Sequence, residues 1–96
     1  MNERDKYVAK FKSQLDVWNA EINELETKAK GMRDEVRQEG EQLVASLRQH
    51  RDEAREKLAE MQHVGADAFH DVKEGLDKTW STLKDAIDST VSRFRQ

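Results

Sequence analysis

The sequence contains no cysteine and no proline. Without thiols there are no disulfides, no cysteine nucleophile and no thiolate metal site. Without proline nothing interrupts long helices, since an interior proline costs about 3 kcal/mol in a helix. Glycine is limited to four residues, and no glycine-rich loop follows a strand pattern, so the phosphate-cradling motifs are missing. Apolar runs are no longer than Leu43-Val44-Ala45, far short of the roughly 20 residues of a membrane span. The charged start, Met1-Asn2-Glu3-Arg4-Asp5-Lys6, lacks the apolar stretch of a signal peptide, and a cytoplasmic location is expected. Neither sign of charge dominates. Seventeen basic residues against 20 acidic ones give −3, which with a pI of 5.6 argues against a nucleic-acid partner.

What the sequence does have is charge and periodicity. Charged residues make up 39% and hydrophobic ones 35% of 96 residues, which bounds the chain to a single small domain, 1–96. Below about 100 residues core burial alone is marginal, and oligomerisation is a usual remedy. Balanced charges at helical spacing read as solvated helix faces; Asp52/Glu56, Arg48/Asp52 and Arg51/Arg55 are i,i+4 neighbours.

The apolar residues recur every eleven positions. One column is Leu25, Val36, Leu47, Leu58, Phe69, Trp80, Val91. A second is Met32, Leu43, Ala54, Gly65, Leu76, Ile87. A third turns apolar late: Met61, Val72, Leu83, Phe94. Eleven residues in three turns is close to the natural helical period, so one stripe runs nearly straight along a helical chain. The first third adds a seven-residue beat: Val8, Phe11, Leu15, Trp18, Ile22, Leu25, Ala29 and Met32 form a coiled-coil seam. The change of beat near Met32–Gly40 is a stutter through which the helix is expected to pass, bent at most, despite Gly31 and Gly40.

The best turn candidate is 63–67, with Gly65 in the left-handed conformation and Asp67 capping the following helix. A single uninterrupted helix is the alternative, because the eleven-residue register continues through Gly65. The expected fold is all-α. A long helix (about 3–62) is followed by a shorter one (about 68–95) folded back as an αα-hairpin, and the hairpins assemble into a coiled-coil or helical-bundle oligomer. Leu43, Leu47, Leu58, Phe69, Val72, Leu76, Trp80, Leu83, Ile87, Val91 and Phe94 would pack the hairpin. The heptad arm 7–32 would project, presenting Val8, Phe11, Leu15, Trp18, Ile22, Leu25 and Met32 to other subunits.

Chemistry is sparsely signalled. His63, Asp67 and His70 fall at i, i+4 and i+7, where two imidazoles and a carboxylate suit zinc on a continuous helix. That alignment needs helix where Gly65 points to a break, so no metal site is expected. His50 sits among Leu47 and Ala54 and is expected at a packed interface. No nucleophile accompanies a base. No catalytic residue, cofactor or small-molecule substrate is expected.

The stretch Gln14-Leu15-Asp16-Val17-Trp18-Asn19-Ala20-Glu21-Ile22 resembles small bacterial coiled-coil stress-response proteins of a cyanobacterial salt- and acid-stress type. Phe69-His70-Asp71-Val72-Lys73-Glu74-Gly75-Leu76 and Trp80-Ser81-Thr82-Leu83-Lys84-Asp85-Ala86-Ile87 are similar to the same family. The resemblance implies a non-enzymatic coiled-coil protein of the stress response and carries no catalytic residues. The eleven-residue repeat is similar in kind to exchangeable apolipoproteins. The expected function is therefore non-enzymatic self-assembly as a stress-related scaffold or interaction module. The alternative is peripheral membrane binding through the second helix, where Lys73, Lys84 and Arg93 flank the stripe.

Overall fold

A computed structural model describes residues 3–95. Met1, Asn2 and Gln96, part of the expected 1–96 domain, lie outside the described residues. The described chain is all-helical. It forms three helices of nearly equal length: α1, Glu3–Lys30; α2, Asp34–His63; α3, Ala66–Phe94. They make a bundle 50 × 20 × 18 Å, as expected for helices of about 45 Å lying side by side.

α1 follows the seven-residue beat and buries Val8, Phe11, Leu15, Trp18, Ile22, Leu25 and Ala29. Glu3 and Asp5 open it and Lys28 and Lys30 close it, which complements the helix dipole at both ends. The expected uninterrupted helix over 3–62 does not form. The chain leaves the helix at Gly31, Met32 and Arg33; the amides of Gly31 and Met32 close the last turn onto the carbonyls of Lys28 and Ala29. Arg33 is extended, at φ −63° and ψ 151°. A glycine gives up about 1 kcal/mol inside a helix, little against an apolar stripe that a straight helix would leave in water. Folding back therefore wins. The arm does not project: α1 lies antiparallel on α2, with Arg48 reaching both Glu26 and Asn23, and Arg51 reaching Asn19.

The buried face of α2 is Gly40, Val44, Leu47, Ala54, Leu58 and Met61. Those positions keep a seven-residue beat, with steps of four and three, and Arg51 fills the phase between Leu47 and Ala54. The expected stutter is thus a chain reversal, and past it the seven-residue beat resumes. Val36, on the eleven-residue column, is 48% exposed, and Leu43 is only half-buried. Gly40 is where side chains from the first reversal, α1 and α3 crowd onto α2. A Cβ there would stand 2.9 Å from Met32 Sδ and 3.6 Å from the Phe94 ring.

The second reversal is two residues, Val64 and Gly65. Gly65 is extended (φ −77°, ψ 173°) and not left-handed, and it occupies the N-cap position itself. Asp67 therefore lies inside the first turn of α3, where its charge complements the dipole, and does not cap. α3 returns antiparallel along α2, so that Arg93 pairs with Glu39 near one end and Gly75 faces Lys57 further along. It buries Leu76, Leu83, Ile87 and Thr90, whose hydroxyl donates to the Ala86 carbonyl at 2.8 Å.

These burials order the expected effects of substitution. Ile22, fully buried in α1, should lose about 2–4 kcal/mol of stability as Ile22→Ala in urea unfolding. Val17→Ala on the same helix, 59% exposed, should stay within about 0.5 kcal/mol. A projecting α1 would leave both changes without effect on the stability of the isolated chain.

Candidate interaction surface

α1 and α3 run parallel and approach each other far less closely than either approaches α2. Aromatic rings fill the space between them. Trp80 of α3 is held between two rings of α1: Phe11, edge-on with centroids 4.2 Å apart, and Trp18, tilted at 4.5 Å. Tyr7 extends this stack. It lies 4.5 Å from Phe11 and meets Phe69 edge-on at 6.3 Å. Edge-on and tilted rings place positive ring edges against negative faces, which adds about 1 kcal/mol per pair to the burial itself. Phe11 and Trp18 are buried, while Tyr7, Phe69, Val72, Trp80, Val91 and Phe94 are half-buried. The apolar face of α3 is therefore wider than α1 and α2 together cover.

Polar groups brace the seam. The Tyr7 hydroxyl donates to Asp77 Oδ1, and Lys73 Nζ stands 5.3 Å from the Tyr7 ring centroid. Burial, then the Asp77 carboxylate, pushes the Tyr7 phenol well above its ordinary range, so it stays a donor. At the same end of the bundle Arg4 donates to the Val64 carbonyl at 2.8 Å, tying α1 to the second reversal.

The structure distributes the expected site residues as follows. Val8, Phe11, Leu15, Trp18, Ile22 and Leu25, expected to face other subunits, are buried within the chain, and Met32 is half-buried at the first reversal. Among the residues expected to pack the hairpin, Leu47, Leu58, Leu76, Leu83 and Ile87 are buried; Leu43, Phe69, Val72, Trp80, Val91 and Phe94 are half-buried. His63 ends α2 and Asp67 lies in the first turn of α3, so the reversal takes His63 off the face of Asp67 and His70. His70 instead lies 3.4 Å from Glu74. Among the described residues no three His, Asp or Glu side chains stand together as metal ligands, and no helix is long and apolar enough to cross a membrane. His50 is partly exposed beside Glu53.

Tyr7 with Asp77 and Arg4 with Val64 were not legible as pairs, because partners 70 and 60 residues apart share no local spacing. Arg51 had a signal: it falls in phase with Leu47, Ala54 and Leu58, yet carries a charge. Its stem lies in the seam and its head binds Asn19 at 2.7 Å and Asp52 at 2.9 Å.

A phenol whose folded pKa is raised favours the folded state while neutral. That contribution is complete below about pH 10, the unfolded value, and is lost as pH rises through the folded pKa. Between pH 9 and 11 the wild type should therefore lose more stability in urea unfolding than Tyr7→Phe does. Parallel losses in the two proteins would show that the fold does not raise the Tyr7 phenol. No protein-family model, no curated protein and no solved structure matches the chain.

Proposed function

We propose that the chain is a non-enzymatic helical packing module that self-associates, in the role of a stress-related scaffold. The observation that carries this reading is the excess apolar face of α3. Phe69, Val72, Trp80, Val91 and Phe94 stay only partly buried after the chain's own helices have packed. Partly covered aromatics on an otherwise charged surface are the anchors that protein interfaces use. The resemblance to coiled-coil stress proteins supplies the stress context. The compartment this reading assigns is the cytoplasm.

Sedimentation equilibrium tests it. The wild type at tens of micromolar should be oligomeric and dissociate on dilution, and Lys12→Ala, on the charged face of α1, should behave identically. A well-folded, monodisperse monomer across that range overturns self-association.

The same partly buried aromatics would also serve the membrane alternative, in which α3 turns onto lipid with Lys73 and Lys84 beside it. Anionic vesicles should then shift tryptophan emission to the blue. No shift removes that alternative.

A further inference from the structure

The second reversal has the properties of a hinge. It consists of Val64 (φ −86°, ψ 150°) and Gly65 (φ −77°, ψ 173°). Both φ values already suit a helix, so rotation about two ψ angles makes the chain helical there. A Cβ at Gly65 would meet nothing within 4 Å. The flanking residues, His63 and Ala66 to Ala68, include no helix breaker. The Val64 carbonyl accepts from Arg4; in a helix the Ala68 amide would compete for the same carbonyl.

A second observation concerns phase. On one straight helix of 3.6 residues per turn, the buried residues of α2 (Gly40, Val44, Leu47, Ala54, Leu58, Met61) span an arc of about 100°. Those of α3 (Leu76, Leu83, Ile87, Thr90) fall inside the same arc, and Gly65 lies within it too. A hairpin requires a stripe on each helix. It does not require the two stripes to coincide once the turn is straightened. Here they do, so a fused 34–94 helix keeps one continuous apolar face.

From these we infer that two copies of this chain exchange α3: the Val64–Gly65 hinge straightens, and each α3 packs on α1 and α2 of the other copy. The inference rests on the self-association proposed above and gives it a route that re-forms the closed chain's own contacts, with the outer part of the α3 face left as uncovered as before. Every contact α3 makes in the closed chain re-forms between copies, including Trp80 between Phe11 and Trp18 and the Arg93–Glu39 pair. The exchanged dimer adds helical hydrogen bonds across each hinge and loses the Arg4–Val64 bond. A short reversal that can straighten favours such exchange. Gly65, on the apolar face and without a side chain, lets the two long helices cross closely at the centre.

Three full-length variants test this by sedimentation and small-angle scattering, with helicity by circular dichroism as the folding control. Gly65→Ala should tighten dimerisation about twenty-five-fold, roughly fivefold for each of two hinges, because alanine favours the fused helix and meets no obstacle in the closed one. Arg4→Ala should tighten it as well. Inserting Gly-Ser-Gly-Ser between Val64 and Gly65 should leave a folded monomer. The dimer should be about 90 Å long or more, the length of a continuous 34–94 helix, against 50 Å for the closed chain. If the insertion variant dimerises as well as the wild type, or the dimer is no longer than the closed chain, exchange is overturned while self-association stands. If every variant, Gly65→Ala included, stays monomeric at hundreds of micromolar, both fail.

Discussion

The structure depends on covering one apolar stripe on a chain whose remaining surface is charged. The stripe is narrow, so a single helix carrying it has no way to hide it. Each helix needs two neighbours, and three helices in one chain are the smallest closed answer. The two reversals follow from that need more than from any strong local stop signal. At Gly31–Arg33 the chain gives up helix in surroundings rich in good helix formers, because burial of Phe11, Leu15, Trp18 and Ile22 outweighs a few lost helical hydrogen bonds.

The bundle is uneven, and the unevenness bears on function. The α1–α2 and α2–α3 seams are close, with small residues such as Ala29, Gly40 and Ala54 buried along them. The α1–α3 seam is propped open by large rings, with Trp80 wedged between Phe11 and Trp18. Arginines bind the faces together from outside. Arg48 and Arg51 reach across to α1, and Arg93 reaches across to α2. The Arg93–Glu39 pair is exposed and contributes little stability singly, whereas the Arg48 and Arg51 contacts are partly buried. Together they discriminate between registers, since a shift by one turn would separate each from its partner. The aromatic seam is formed with α3 and the short second reversal leads into it, so α3 is the element most readily shared with another molecule.

Much of this was legible in the sequence. The heptad run from Val8 to Ala29 marks the buried face of α1 residue by residue; Leu47, Leu58, Leu76, Leu83 and Ile87 of the eleven-residue columns are also buried, but in steps of three, four and seven, and Val36 of the same columns is exposed. The break at Gly31 was not legible, because one glycine among alanine, lysine and glutamate is a weak signal beside the helical propensity around it. Nor was the fate of the arm, since a seam that faces another subunit and a seam that faces the same chain have the same periodicity. The geometry of Gly65 was misjudged for a related reason. Glycine permits the left-handed conformation, but here an extended residue suffices to reverse the chain.

By itself the sequence determined helix, the face of each helix that is buried, and the absence of thiol chemistry. Those are properties of spacing and composition, and local physics settles them. Only the tertiary structure decided which stripe covers which, because a stripe specifies that it must be covered and not by what. It placed α1 on α2 and α3, brought Tyr7 to Asp77, and set Trp80 between Phe11 and Trp18. All of these are contacts between residues with no relation along the chain.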